Sequence, residues 1–306
     1  MNTNAANALW PSVAVASSTL FWGTTWIPLR EIVRLGLPQS WSGVLIFAVP
    51  ALIALPLALY RWHAVRAGGM PLLMTALGVG ACNALFAVAL TFGEVGMIVL
   101  LFYLSPVWAT LLERIVIGTP LVRHRILGLA LGLAGMVVLQ GLGGRLPLPS
   151  NLAEWLGLAA GFCWAVALVA TNVARESSIV DKTSLQFVAA AAFGLVLVLV
   201  LDSGAAWPEP ARIGTALPWI LGTAVFWIVP AMAFSLWGAA RMSPARASML
   251  LMLEVLVALA SAHWWAGEPV GLNKLLGGAL ILSAGIVDAW GSARSDRMTL
   301  KEADAA

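Results

Sequence analysis

One ionisable side chain of this sequence, Glu254, lies in the middle of a long apolar run. It follows Ser243 by eleven residues, which corresponds to about 16 Å along a helix. An ionisable group so far inside an apolar segment is costly to bury and therefore marks a candidate functional site. Two interpretations stay open: Glu254 carries a coupling proton, or it is a neutral carboxyl that bonds a neighbouring helix and serves packing alone. Glu113 and Arg114, by contrast, lie near the end of their run, where we expect them to pair locally.

Aromatic and amide side chains far from the ends of the apolar runs form a second set of candidates. They are Trp22, Asn83, Tyr103 and Trp164. Around a common cavity, such side chains would stack a planar or apolar solute and offer it a few hydrogen bonds. The alternative is that the tryptophans face lipid and the polar groups bond between helices. With Glu254, these four residues form the predicted substrate-binding set.

Motifs that would indicate other chemistry are missing from the sequence. It contains no His-Glu-x-x-His motif, no phosphate-binding loop with the Gly-Lys-Ser/Thr ending and no regular series of arginines. We therefore expect no catalytic residues, no metal, no cofactor and no enzyme activity.

The composition identifies the medium in which the chain folds. Of the 306 residues, 61% are apolar and only 10% are charged, and the mean hydropathy is +0.92. A soluble domain carries about 25% charged residues, so the chain is predicted to be an integral membrane protein whose main partner is the lipid bilayer. Two cysteines cannot build a disulfide framework. The sparse Lys and Arg residues fit orientation in a membrane, and no nucleic-acid partner is expected.

Ten apolar runs are long enough to cross a bilayer, which requires about 20 residues. We expect all ten to be retained as membrane helices, since the first run has no basic segment before it. The runs lie near 10–28, 39–60, 70–92, 95–117, 124–142, 152–174, 183–201, 214–239, 243–265 and 273–291.

The distribution of Lys and Arg predicts the orientation of the chain. With the N-terminus inside, twelve of the 17 basic residues lie in cytoplasmic segments and five outside. This excess agrees with the positive-inside rule for ten spans with both termini in the cytoplasm. The expected location is therefore the cytoplasmic, or inner, membrane.

The two halves of the sequence resemble each other. An offset of 149 places Gly118-Thr119-Pro120 on Gly267-Glu268-Pro269 and Gly128 on Gly277, and an offset of 142 places Trp22 on Trp164. We expect a first repeat at 1–149, a second at 150–292 and a cytoplasmic tail at 293–306. Because each repeat holds five spans, the second must cross the membrane in the opposite sense. Inverted repeats are typical of secondary transporters.

Several motifs together resemble a known family. They are Met242-Ser243-Pro244-Ala245-Arg246-Ala247-Ser248, Leu253-Glu254-Val255, Gly267-Glu268-Pro269, Leu104-Ser105-Pro106-Val107 and Phe21-Trp22-Gly23-Thr24. The chain resembles, over nearly its whole length, EamA-type transporters of the drug/metabolite transporter superfamily. The resemblance implies an all-α fold of ten transmembrane helices in two inverted five-helix repeats, and it implies export. Val255 and Thr119 depart from it, since the family usually has Pro and Glu at these positions.

These observations lead to one expected function and one rival. We expect a secondary transporter that exports a small metabolite, either amino-acid-like or another small organic solute, by alternating access. Protons are the expected coupling ion if Glu254 titrates during transport. The rival is a membrane protein that transports nothing and acts as a packing partner or sensor. The sequence leaves the oligomeric state open.

Overall fold

The computed structural model describes residues 3–93, 95–141, 148–201, 207–267 and 269–305, and every regular element within them is helical. Glu268 and Arg145, which entered the motif and charge arguments, lie outside the described residues. The elements are α1 (Thr3–Thr24), α2 (Trp26–Arg34), α3 (Gln39–Tyr60), α4 (Trp62–Ala67), α5 (Gly69–Phe92), α6 (Val95–Phe102), α7 (Ser105–Val116), α8 (Arg123–Gln140), α9 (Leu152–Val173), α10 (Ile179–Leu201), α11 (Pro210–Thr223), a π-helical turn (Ala224–Ile228), α12 (Val229–Ala239), α13 (Pro244–Leu251), α14 (Leu253–Ala266) and α15 (Leu272–Ala305).

Seven stretches of the described helices are long and apolar enough to cross a membrane. They are Gln39–Tyr60, Gly69–Leu90, Met97–Val116, Leu152–Val173, Ile179–Val200, Pro210–Ala239 and Pro244–Ala266. Each coincides with one of the predicted runs, and large apolar side chains such as Leu52 and Ile53 are exposed on the outside of the bundle. The chain is therefore an all-α, multi-pass membrane protein.

The other three predicted runs, 10–28, 124–142 and 273–291, also lie in helices but are not among the seven stretches. The count of ten spans therefore stays a prediction. The predicted tail at 293–306 begins within α15, which continues without a break to Ala305.

Two of the long stretches are broken in the middle. The first break separates α6 from α7 at Tyr103, and the second separates α13 from α14 at Met252. At both breaks the chain tightens, because the amide nitrogens of Leu104 and Met252 donate to the carbonyl three residues earlier. The offset of 149 places Tyr103 exactly on Met252. The two breaks therefore occupy equivalent positions in the two halves of the sequence.

Proline marks only some of the irregularities in these helices. Pro106 and Pro230 each lie at the start of a helix that follows an irregular turn, where a missing N–H costs nothing. Pro50 and Pro56 lie inside α3, which continues past both. The break at Met252 has no proline, in keeping with Val255 in place of the proline that the resemblance predicts.

Small residues bring the helices close together around α9. Gly157 and Gly161 lie on the face of α9 that contacts α6, where a Cβ on Gly161 would overlap the Phe102 carbonyl oxygen. On α5, Gly78 faces Ala167 of α9 in the same way. This close approach fixes the position of α9 relative to the first break.

The bundle has two ends, which we name after the short helices that lie there. Helix α3 runs from the α2 end to the α4 end, and the following long helices alternate in direction. Contacts at the α4 end include the ion pair between Arg61 Nε and Asp181 Oδ1, at 2.6 Å. At the α2 end, Arg212 Nη1 donates to the carbonyl oxygen of Gly36 at 3.2 Å.

Candidate functional site

A cavity of about 570 Å³ lies between the helices, and all five predicted site residues line it. Its walls come from α1, α2, α3, α5, the α6–α7 break, α9, α12, α13 and α14. Toward the α2 end the cavity reaches Arg30 and Val33, which are exposed. Toward the α4 end it stops at Ser105, Ser248 and Leu251, which are buried. The structure thus brings the predicted residues together, and their role in binding stays a prediction.

The floor of the cavity joins the two broken helices. The phenol of Tyr103, at the first break, donates a hydrogen bond to Oε1 of Glu254, in the first turn of α14 after the second break. Tyr103 is 4% exposed. Beside this pair, Ser105 Oγ and Ser248 Oγ lie 3.4 Å apart, again across the two helices. The hydrogen-bond partner that a half-buried Glu254 needs is therefore supplied by the other half of the chain.

Two tryptophans on one face of α1 and α2 are held by serines from the second half of the chain. Trp22 Nε1 donates to Ser235 Oγ at 3.3 Å, and Ser235 in turn donates to Ser18 Oγ at 2.9 Å. Trp26 Nε1 donates to Ser261 Oγ at 3.0 Å. Because the indole N–H groups are bonded to serines, the rings have fixed orientations against the cavity.

Asn83 and Trp164 contribute to the cavity in different ways. Asn83 Nδ2 donates to the Val79 carbonyl oxygen of its own helix at 2.9 Å, so this bond does not link two helices. Trp164 is 6% exposed and packs in the largest apolar cluster with Leu168 and Met232, so only a small part of it is accessible from the cavity. Trp164 is thus both a core residue and a cavity residue, a combination that the sequence-based alternatives did not include.

Several lining residues were missed by the sequence analysis. Phe86 and Phe102 pack at a tilt of 49° with ring centroids 4.8 Å apart, and Phe102 meets Tyr103 edge-on with centroids 5.3 Å apart. Ser235 and Ser261, which orient the tryptophans, were also missed. An aromatic or a serine within an apolar run is too common in membrane helices to be singled out without knowing which face it occupies.

The charge distribution of the cavity is simple. Among its described lining residues, Glu254 is the single acidic side chain and Arg30 the single Lys or Arg, and they lie at the floor and the mouth respectively. The described residues contain no cluster of His, Cys, Asp and Glu that could hold a metal ion. The arrangement suits a small, partly apolar solute that stacks on aromatic rings and bonds to a few polar groups.

Beyond the floor, a buried network closes the α4 end. Glu113 Oε1 accepts hydrogen bonds from Arg125 Nη1 at 3.0 Å and from Thr119 Oγ1 at 2.9 Å, and Oε2 accepts from the Ala245 amide at 3.0 Å. Arg125 Nη2 donates to Ser243 Oγ, also at 3.0 Å. The network links the α7–α8 region to the start of α13.

Glu113 pairs with Arg125 and not with its neighbour Arg114. Neighbouring residues on a helix point in different directions, and Glu113 turns inward to Arg125 while Arg114 is exposed. Thr119, which stands where the resemblance predicts Glu, donates to the same carboxylate.

The chain is similar to known proteins over most of its length. The family model described as the EamA-like transporter family matches residues 9–140 and 151–287. The chain is 27% identical to an uncharacterized transporter of Archaeoglobus fulgidus over 71% of this chain and 76% of the relative. It is 24% identical to the uncharacterized transporter YoaV of Bacillus subtilis over 90% and 94% of the respective chains. One crystal structure of a protein shares the fold with a TM-score of 0.70 at 17% identity, over 93% of this chain and 98% of the other.

The buried network allows a prediction about stability. Glu113→Ala leaves a largely buried guanidinium and a buried amide without their acceptor, so we expect the free energy of unfolding to fall by about 3 kcal/mol. Glu31→Ala is the matched control, because Glu31 pairs with Arg34 at 2.7 Å on an exposed helix face, where a pair contributes less than about 1 kcal/mol. Denaturant unfolding in detergent measures both losses. Equal losses in the two variants would show that the Glu113 network does not stabilise the fold.

Proposed function

The chain belongs to the EamA-like transporter family, and on this premise we propose that it is a secondary transporter of a small organic solute, amino-acid-like or another small metabolite. The observation that carries the proposal is the cavity of about 570 Å³, which is open toward one end of the bundle and closed toward the other. A site accessible from one side at a time is what alternating access requires. We propose export across the cytoplasmic membrane as its direction, in line with the resemblance.

The proposal includes ten membrane spans arranged as two inverted repeats, 1–149 and 150–292, followed by a cytoplasmic tail. Two observations support it. The family model matches the two halves separately, and the helix breaks at Tyr103 and Met252 fall on equivalent positions. Discontinuous helices at corresponding positions of two halves are typical of transporter binding sites.

In the proposed orientation the α4 end faces the cytoplasm. The excess of Lys and Arg at that end supports it, including Arg61, Arg114 and Arg125. The cavity then opens outward, and the Glu113 network closes the cytoplasmic side in the state described above.

Within the cavity we propose that Trp22, Tyr103 and Trp164 provide stacking surfaces and that Asn83 offers hydrogen bonds to the solute. The indole bonds to Ser235 and Ser261 support this assignment, because they hold the rings of Trp22 and Trp26 in fixed orientations at the cavity wall. The solute would lie above the Tyr103–Glu254 pair.

For Glu254 we propose the role of proton carrier. Its bond from Tyr103 satisfies one carboxyl oxygen in the outward-open state, and both the neutral and the ionised carboxyl have an oxygen that can accept this bond. Movement of the two broken helices would separate the pair and change the hydration of the carboxyl, which changes its tendency to hold a proton. The rival role, packing without proton transfer, leaves transport independent of a pH gradient.

A substitution in α9 tests solute stacking. Trp164→Phe keeps an aromatic ring but shortens the stacking surface, so we expect KM for the transported solute to rise about fivefold, equivalent to about 1 kcal/mol. Flux of radiolabelled amino acids and other metabolites into proteoliposomes measures it. Trp155→Phe is the control, since Trp155 lies on the same helix and is 57% exposed.

Two outcomes would contradict these assignments. Equal KM values in Trp164→Phe and the parent would remove Trp164 from the binding site. No flux of any solute in the parent protein, whatever the gradient, would favour the rival function of a packing partner or sensor.

Native Cys82, which lines the cavity beside Asn83, provides a second readout of solute binding, because a bound solute should slow the labelling of Cys82 by thiol reagents.

A substitution at Glu254 tests proton coupling. Glu254→Gln retains the size and an oxygen that accepts from Tyr103 but fixes the neutral form. We therefore expect loss of transport driven by a pH gradient, with solute exchange at equal concentrations retained, because exchange moves no net proton. Glu209→Gln is the control, as Glu209 is an exposed carboxyl paired with Arg212. Accumulation of solute by Glu254→Gln on a pH gradient, at the level of the parent, would contradict the coupling role.

A further inference from the structure

A second cavity lies at the α4 end of the bundle. It has a volume of about 580 Å³, and we name it the α9–α13 groove. Its lining residues come from the end of α9 and from the turn between α12 and α13: Asn172, Arg175, Glu176, Ala240, Arg241, Met242 and Ser243. Nothing in the proposed function so far uses this groove.

The groove occupies the same place in the second half as the open mouth of the main cavity occupies in the first. Arg30 and Val33 line that mouth, and the offset of 142, which relates Trp22 to Trp164, places them on Asn172 and Arg175 of the groove. In an inverted repeat, equivalent residues lie at opposite ends of the bundle. The groove therefore corresponds to a mouth on the other side.

The same correspondence holds for the other wall. Leu90 and Val95 line the open mouth on either side of the α5–α6 turn, and the offset of 149 places them on Ala239 and Pro244. These two residues flank the turn of Ala240 to Ser243 that lines the groove. Both walls of the groove are thus the equivalents of the two walls of the open mouth.

A thin layer of packed side chains separates the groove from the main cavity. Trp164 and Asn172 are eight residues apart on α9, which corresponds to about 12 Å. Between them Leu168 is fully buried, and Ala239, Ala247 and Leu251 of the facing helices belong to the same apolar cluster. Asn172 Nδ2 also donates to the Met242 carbonyl oxygen at 2.7 Å, which fastens α9 to the α12–α13 turn.

We propose that the α9–α13 groove is the closed cytoplasmic mouth of the solute path and that it admits solutes carrying a carboxylate or a similar anionic group. This inference rests on the proposed function and adds the second opening and the charge of the solute. In the inward-open state the bond from Asn172 to Met242 breaks, and the groove joins the main cavity past Leu168.

The charge of the groove supports the anionic class. Arg175 and Arg241 are exposed on its walls, against one acid, Glu176, which lies 3.5 Å from Arg175. Arg241 is held over the Trp237 ring at 4.2 Å and donates to the Trp237 carbonyl oxygen. Arg30 occupies the opposite mouth. Mouths with a net positive charge raise the local concentration of anions and repel cations.

A cross-link tests whether the groove must open. In the full chain, Asn172→Cys with Met242→Cys is oxidised to a disulfide and then reduced. We expect loss of flux in the oxidised protein and recovery after reduction. The matched control joins Leu139→Cys to Asn273→Cys, where Asn273 Nδ2 donates to the Leu139 carbonyl oxygen at 3.2 Å between α8 and α15. This control should transport in both states. The parent with its two native cysteines receives the same treatment.

The outcomes separate this inference from the proposed function. Flux that persists after oxidation of the Asn172→Cys, Met242→Cys variant overturns the proposal that the groove is a second mouth. If the reduced proteins move no solute, the proposed function fails. The second mouth is then tested by thiol labelling, which does not depend on solute flux. In Ser248→Cys, an impermeant thiol reagent applied to the cytoplasmic face of inside-out vesicles should label the new cysteine at the floor of the main cavity. The absence of such labelling overturns the mouth.

The solute class is tested with 3-phenylpropionate and phenethylamine, which share a ring and carry a carboxylate and an ammonium group respectively. We expect flux of 3-phenylpropionate in preference to the amine. For solute supplied at the cytoplasmic face, Arg175→Gln with Arg241→Gln should raise KM about tenfold at low salt and less at high salt. Arg66→Gln, which removes an exposed charge from the same end outside the groove, should not. Flux of the amine alone or of neither, or an unchanged KM in the double variant, overturns the anionic class.

Discussion

A carboxyl group inside a bundle of apolar helices requires hydrogen-bond donors, and in this protein the donors tie the two halves of the chain together. Glu254 of the second half accepts from Tyr103 of the first, and Glu113 of the first half accepts from the Ala245 amide of the second. The two links lie at different depths along the bundle. The first forms the floor of the main cavity, and the second seals the space between that floor and the α4 end.

The helix breaks lie beside these contacts. The tight turns at Tyr103 and Met252 are next to the bond from Tyr103 to Glu254 and to the contact between Ser105 and Ser248. Glycines on α9 let α6 approach closely enough for the first break to face the cavity. Because the two breaks are equivalent under the repeat offset, we expect a movement of the helix at one break to have a counterpart at the other. The proposed alternating access would use paired breaks of this kind.

Much of the architecture could be predicted because apolar length and charge are properties of the sequence itself. All ten predicted runs lie in helices, and the five site residues meet in one cavity, since unusual polar and aromatic residues inside apolar runs are costly unless they share a protected space. The hydrogen-bond and ion-pair partners of these side chains could not be predicted in the same way. The serines that hold Trp22 and Trp26 are more than 200 residues away in sequence, and Arg125 reaches Glu113 only because α8 returns beside α7. The α9–α13 groove is likewise a product of packing, and only the repeat offsets connect it to the sequence.

The central claim is that two five-span halves cross the membrane in opposite senses around one cavity. The most direct test is the sidedness of three tags, at residue 1, at residue 306 and at Gly143 in the connection between the halves, probed with impermeant reagents on intact and opened cells. The account predicts that both terminal tags react only from the cytoplasm and that the Gly143 tag reacts only from outside. Terminal tags that react from opposite sides would contradict the ten-span count and, with it, the inverted repeat.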